Sequence, residues 1–152
     1  MTVRKDPNRG GAHVATEYEV REASDRFYAA LVSMLNGDAR PMADVWAHDP
    51  AVSTMHPLGG REVGWGAVRA SWEGAAGAFQ GGAVEVSDLL VSVLGDAAYT
   101  TGIEHVDGTV GGKSLHFDIR ATNIFRREDG EWKIIHHHTD VDRPLQEALG
   151  IV

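Results

Sequence analysis

The sequence predicts an α+β fold in which helices pack on one face of an antiparallel sheet. In the first half of the chain, apolar residues recur every three or four positions, as they do on one side of a helix. After Gly81 and Gly82 the pattern changes to alternation, which is typical of strands. Short turn signals separate the alternating segments, so consecutive strands are expected to pair antiparallel.

The composition fits a globular domain and excludes several kinds of site. The chain has 152 residues, a net charge of −8 and no cysteine, which excludes disulfides, thiolate zinc sites and a cysteine nucleophile. The acid excess argues against nucleic acid or an anionic membrane as the main partner. Because the sequence has no apolar run long enough to span a membrane and no signal-peptide pattern, we expect a cytoplasmic protein.

Three helices and one short strand are predicted ahead of the main sheet. Residues 1–16 are expected to be a flexible N-terminal tail, and residues 17–152 a single domain. The apolar stripe of the first helix covers 18–36, and Gly37 ends that helix. The other segments are a second helix at 41–46, a short strand at 51–55 and a third helix at 64–79.

Four longer strands form the predicted meander, at residues 83–94, 97–106, 113–127 and 132–140. In the third of them the odd-numbered side chains are apolar and must face the helices, whereas the even-numbered ones are polar. Asn123 interrupts the apolar face. A buried amide without a partner costs about 1–3 kcal/mol, so Asn123 is either bonded to a neighbour or held for a ligand.

The last strand carries three consecutive histidines. Strict alternation places His136 and His138 on the face of Trp132 and Ile134, and His137 on the opposite face, without showing which face lines a cavity. His136 and His138 could chelate a transition metal. No recognised ligand spacing accompanies them, so we expect neither a metal nor a cofactor.

His56 and the third helix supply the candidate pocket residues. His56 lies in a loop rich in proline and glycine, and its imidazole suits proton transfer because it titrates near neutrality; a structural role is the alternative. Trp65, Val68 and Trp72 share one side of the third helix, where they form core or line an apolar pocket. Residues 81–112 contain five acids and no Lys or Arg, so they form either solvated strands or an acidic rim around a cation or an amine.

Several segments together carry a family resemblance. They are Asn36-Gly37-Asp38, residues 46–52, His56-Pro57-Leu58-Gly59, and residues 125–138 with their Arg-Arg-Glu-Asp-Gly run. Over about residues 18–140 the chain resembles the nuclear transport factor 2-like superfamily, specifically its SnoaL-like, ketosteroid-isomerase-like members. It is also similar to the association domain of calcium/calmodulin-dependent protein kinase. These resemblances imply a cystatin-like cone, in which a curved antiparallel sheet wraps around a long first helix accompanied by two further helices.

The resemblance to the isomerases implies catalytic roles. Their catalytic aspartate occupies the position of His56, which therefore becomes the candidate general base. Their oxyanion-hole aspartate matches Asn123, an amide that can still donate a hydrogen bond. The oxyanion-hole tyrosine position holds Ala30, and Tyr28, two residues earlier, is expected to point elsewhere on the helix.

The resemblance to the kinase association domain implies which side chains meet. It places Asn123, His137 and Thr139 toward the cavity, with Ile103 nearby on the adjacent strand. His136 and His138 then face outward, on a polar sheet face that is a candidate homodimer interface with Asp118 and Arg120.

Two functions follow as alternatives. The first is an isomerase, cyclase, dehydratase or hydrolase that takes a small, moderately apolar ligand, moves a proton with His56 and stabilises an oxygen with Asn123. The second is a ligand-binding or dimeric assembly module without catalysis.

Overall fold

The computed structural model describes the backbone of residues 8–152 and the side chains of residues 16–152. The helices are α1 (Asn8–Leu35), α2 (Met42–Val45), α3 (Trp65–Ala78) and α4 (Arg143–Ala148). The strands are β1 (Ser53–Met55), β2 (Glu62–Val63), β3 (Phe79–Leu94), β4 (Ala97–Val110), β5 (Lys113–Glu128) and β6 (Glu131–Thr139). This element order confirms the predicted α+β class.

The six strands form one curved, unclosed sheet in the order β2-β1-β6-β5-β4-β3. The four long strands pair antiparallel with their neighbours in the chain, as predicted, and β1 joins the sheet by pairing parallel with β6. Helix α1 packs on the sheet through the apolar stripe expected from its periodicity. Every member of that stripe is buried: Val20, Ala23, Phe27, Ala30, Leu31, Met34 and Leu35.

The chain ends differ from the sequence prediction. Helix α1 begins at Asn8, so residues 8–16 of the predicted tail are helical, and residues 1–7 lie outside the described residues. Helix α4 was not predicted. Its signal is present, because the Asp142 carboxylate accepts a hydrogen bond from the backbone N–H of Leu145, and Pro144 lies in the first turn. Strand β2, with two residues, is too short to produce a pattern.

Strand β6 changes face partway along its length. Ile124 and Phe125 are consecutive in β5, but they pair with His136 and Ile134 in β6. Ile135, between these two partners, is therefore an extra residue without a partner in β5. Such a bulge reverses the alternation of side chains. The predicted grouping of His136 with Ile134 is therefore wrong, since Ile134 faces the helices and His136 faces outward.

The bulge brings His137 and Thr139 to the same buried side as Trp132 and Ile134. His138 is exposed on the outer side of the sheet. The face that strict alternation left open is thus decided by one extra residue in β6.

A close contact between β3 and β4 shapes one wall of the space under α1. Gly108 lies beside the Phe79 ring, and a Cβ atom at Gly108 would come within 2.8 Å of that ring. Glycine at this position therefore lets Phe79 lie over β4, where it joins the core. None of the helices within residues 8–152 is long and apolar enough to cross a membrane.

Candidate functional site

A small cavity lies between α1, α3 and the sheet. The loop at His56–Leu58 and the Leu145 side chain of α4 also line it. Its volume is about 50 Å³, and its walls are mostly apolar. The apolar part of the wall includes Leu31, Met34, Trp72, Phe79, Phe117 and Leu145. Three polar side chains also reach it, namely His56, Glu104 and His137.

The size of the cavity limits what it holds in this conformation. A cavity of about 150 Å³ is enough to bind benzene, so this one takes only a few heavy atoms. A larger ligand requires the covering segments to move. Those segments are tied together, because the Asp142 N–H donates to the Pro57 carbonyl and Gln146 Nε2 donates to the Leu58 carbonyl.

Glu104 is the acidic group of the cavity. It lies on β4 with 2% of its surface exposed, and burial raises the pKa of its carboxyl to about 7. The Tyr28 hydroxyl donates a hydrogen bond to Glu104 Oε1, with 2.9 Å between the oxygens, which opposes that rise. Among the five acids of residues 81–112, Glu104 is the buried one, and the other four are exposed.

A chain of hydrogen bonds leads from His137 to Glu104. The single hydroxyl hydrogen of Tyr28 is donated to Glu104, so the Tyr28 oxygen accepts from Asn123 Nδ2, at 3.1 Å. That orientation turns Asn123 Oδ1 toward His137, whose Nδ1–H donates to it at 2.6 Å. Every donor in this chain points toward Glu104. Burial lowers the pKa of His137 and raises that of Tyr28, so both are neutral near neutral pH.

Two expectations from the sequence change here. Tyr28 does not point away from the site, because it lies at the edge of the buried stripe of α1 and its long side chain reaches across to β4. Asn123 is buried, but its amide is bonded to Tyr28 and His137 and is not part of the cavity wall. The amide therefore connects two site residues and does not itself face a ligand.

Glu104 is a site residue that was not predicted from the sequence, although its signal is present there. The even-numbered residues of β4 are mainly apolar and buried, including Ala98, Val106 and Val110, and Glu104 shares their face. A charged residue on an apolar face is the same anomaly that marked Asn123 on β5. It was obscured because Glu104 was counted with the exposed acids around it.

His56 is held as a neutral base. Burial lowers its pKa to about 4. Ser71 Oγ donates its hydrogen to the Val68 carbonyl, at 2.6 Å, so the hydroxyl oxygen accepts from His56 Nε2–H, at 2.8 Å. This fixes the proton on Nε2 and leaves the Nδ1 lone pair available. The Trp72 ring contacts His56 edge to face, with 4.4 Å between ring centroids, and supports its orientation.

Of the predicted pocket residues, His56, Trp72 and His137 meet at the cavity. The His56 and His137 rings lie 6.2 Å apart, and the Trp72 and His137 rings 5.7 Å apart. Val68 is fully buried and contributes its carbonyl to Ser71, but its side chain packs in the core instead of lining the cavity.

Three other predicted pocket residues lie elsewhere. Trp65 stacks on His48 at 4.4 Å between centroids, on the outer side of α3. Thr139 is buried, but its hydroxyl lies 3.4 Å from the Met55 carbonyl and away from the cavity. Ile103 is on the outer sheet face, since its neighbour Glu104 points inward and side chains alternate along β4.

The outward-facing histidines do not assemble a metal site in the part of the chain that is described. His136 Nδ1 lies 2.7 Å from Ser53 Oγ, and its ring centroid is 6.0 Å from that of His138. No group of three or more His, Cys, Asp or Glu side chains among the described residues is arranged to hold a metal ion.

Comparison with known proteins identifies the family. Residues 20–141 match the SnoaL-like domain. A solved structure of a dehydratase candidate of the nuclear transport factor 2-like family from Streptomyces avermitilis is 28% identical, covers 84% of this chain and 96% of its own, and gives a TM-score of 0.74. A candidate calcium/calmodulin-dependent protein kinase type II association domain from Thiobacillus denitrificans is 32% identical, covers 80% and 93%, and gives a TM-score of 0.62.

One curated relative is larger. The F-box protein SKIP8 of Arabidopsis thaliana is 29% identical over 100 residues, which span 66% of this chain but 41% of the relative. The similarity thus concerns less than half of that protein. The family match covers most of the chain, and the two solved structures share its helix and curved-sheet arrangement. The chain belongs to the SnoaL-like domain family of the nuclear transport factor 2-like superfamily.

Proposed function

We propose that this chain binds a small, largely apolar ligand in the cavity under α1 and catalyses a proton transfer on it without a cofactor, with His56 as the general base. The observation that carries this proposal is the state of His56. Its imidazole is neutral, its Nε2 proton is fixed by Ser71, and it lies in the wall of an apolar cavity. A neutral imidazole held in one tautomer keeps one lone pair free to accept a proton, and its lowered pKa makes it a weaker base than free imidazole.

The reaction class is an isomerase, cyclase or dehydratase type. The 28% identical relative described as a dehydratase candidate supports the last of these. In a dehydration, His56 Nδ1 removes a proton from the carbon next to a carbonyl, and a carbon–carbon double bond forms as the bond from the neighbouring carbon to its hydroxyl oxygen breaks. The hydroxyl group leaves as water after taking up that proton from His56. Asn123 serves here as a positioning residue, because its amide holds Tyr28 and His137.

The second candidate is a ligand-binding or assembly module without catalysis. The 32% identical association-domain candidate favours it. A homodimer fits either function. Its proposed interface is the outer sheet face, which carries Asp118, Arg120, His136 and His138. We also propose a cytoplasmic location. Light scattering at micromolar concentration tests the dimer, and a monomer there contradicts it.

Turnover distinguishes the two candidates. The wild-type protein is incubated with short β-hydroxy ketones, with and without an amino substituent, and the conjugated ketone formed is followed by ultraviolet absorbance. We expect turnover that falls by about 10²–10⁴-fold in His56→Ala, the usual contribution of a general base. The matched control is His48→Ala, which removes an exposed histidine outside the cavity. Turnover unchanged by His56→Ala contradicts the catalytic role, and ligand binding without turnover favours the module.

A further inference from the structure

Glu104 places a carboxyl in the cavity without a positively charged partner. No Lys or Arg among the described residues lines this cavity, and the two histidines that do are neutral. A buried carboxylate is costly unless it is paired and hydrogen-bonded. The Tyr28 hydroxyl supplies one hydrogen bond to Oε1, so the carboxyl is partly satisfied and lacks an opposite charge.

We infer that the ligand of this cavity carries a protonated primary amine that pairs with Glu104. The inference rests on the proposed function in using the same cavity, and it adds the chemical class of the ligand. The sequence left open that the acids of residues 81–112 form a rim around a cation or an amine. We assign the amine to one of these acids, the buried carboxylate of Glu104, and not to a rim of several acids.

Three polar side chains of the cavity present hydrogen-bond acceptors, and Trp72, which also lines it, carries a buried indole N–H without a hydrogen-bond partner among the described residues. His56 donates through Nε2 to Ser71, which leaves Nδ1 as an acceptor. His137 donates through Nδ1 to Asn123, which leaves Nε2 as an acceptor. Glu104 adds its carboxylate. An ammonium group has three donors and no acceptor, so it complements these three groups, whereas an alcohol offers one donor and a carboxylate offers none.

The hydrogen-bond chain favours the charged form of Glu104 over the neutral form. All three donors in it, from His137, Asn123 and Tyr28, are directed toward the Glu104 oxygen. Only the Tyr28 hydroxyl donates to the carboxylate itself, and it stabilises the negative charge directly. Asn123 and His137 act through Tyr28, because each hydrogen bond in a chain polarises the next. The net charge of −8 adds a long-range attraction for cations and a repulsion for anions.

Three probes of equal carbon number test the inference: propylamine, 1-propanol and propionate. They are titrated into the full chain at neutral pH, and binding at the cavity is read from the ring signals of His56 and His137 in NMR spectra. We expect propylamine to bind at least about tenfold more tightly than 1-propanol, as a charge-assisted hydrogen bond would give, and propionate not to bind.

The Glu104→Gln variant keeps the shape of the side chain and removes its charge. We expect it to lose the preference for propylamine over 1-propanol. Glu85→Gln, which changes an exposed acid on β3, is the control and keeps the preference. If Glu104→Gln does not fold, the inference is tested by the order of affinities of the three probes for the wild-type protein.

The outcomes separate this inference from the proposed function. If 1-propanol binds at the cavity as tightly as propylamine, or if Glu104→Gln keeps the preference, the amine inference is overturned and a small-ligand cavity stands. If no probe changes the His56 or His137 signals, both the amine inference and the small-ligand proposal are contradicted.

Discussion

Asn123 donates a hydrogen bond to the Tyr28 hydroxyl, with 3.1 Å between Nδ2 and Oη across a separation of 95 residues. This bond joins the C-terminal half of α1 to the C-terminal half of β5. It fixes the orientation of the Asn123 amide and, through it, the tautomer of His137. The pair therefore connects the helix to the polar end of the cavity.

Tyr28→Phe is expected to destabilise the fold by about 1–3 kcal/mol. The substitution keeps the ring but leaves Glu104 Oε1 and Asn123 Nδ2 without the partner they have now, and unsatisfied buried polar groups cost about that much. Urea unfolding measures the change. Tyr18→Phe is the control, because Tyr18 is largely exposed. Equal stability of the two variants contradicts the assigned role of Tyr28.

Glu104→Gln is expected to change how stability depends on pH. The pKa of the Glu104 carboxyl rises from its usual 4.5 to about 7 on folding. Glu104 therefore contributes fully to the stability of the wild type below about pH 4.5, and this contribution is lost as the pH rises through about 7. Glutamine does not titrate. The stability of the variant relative to wild type therefore increases with pH across this window, by on the order of 3 kcal/mol.

The measurement is urea unfolding of both proteins at several pH values between about 4.5 and 8. Glu85→Gln is the matched control, since its side chain is exposed and its difference from wild type should stay flat. A flat difference for Glu104→Gln as well would show that Glu104 ionises normally in the folded protein.

Ser71→Ala is expected to release the tautomer of His56. Ser71 Oγ is the acceptor for His56 Nε2–H, and without it the ring is free to carry its proton on Nδ1. Nitrogen NMR of labelled histidine should show a mixture of tautomers at His56. The free energy of unfolding of the variant should be lower than that of the wild type by about 1 kcal/mol. Ser87→Ala is the control, because Ser87 contacts His105 Nε2 at 2.7 Å on the exposed face. A single unchanged His56 tautomer would refute this role of Ser71.

Leu145→Ala is expected to enlarge the cavity. Leu145 of α4 is buried and lines the cavity wall, so truncation should cost about 2–5 kcal/mol and leave room for a larger apolar probe. We expect benzene to raise the melting temperature of the variant more than that of wild type. Leu94→Ala, at an exposed leucine, should gain no such effect. Equal benzene responses in wild type and Leu145→Ala would show that α4 does not limit the cavity.

Much of the fold was predictable because its signals are local. The stripe of α1, the alternation in β5 and the turns between the long strands each depend on residues within one element. The anomalous position of Asn123 was visible for the same reason. Residues 8–16 of α1 were missed because they carry polar residues and glycines without an apolar period.

By itself, then, the sequence determined the order of the first three helices and the four long strands, the core faces of α1 and β5, and His56 and Asn123 as unusual polar residues. The tertiary structure decided which of them meet. One bulge at Ile135 turned His137 inward, and the packing of α1 on the sheet brought Tyr28 to Glu104 across 76 residues. Periodicity reports a side chain's direction relative to its own element, whereas the site depends on registers and packing between elements that are distant in sequence.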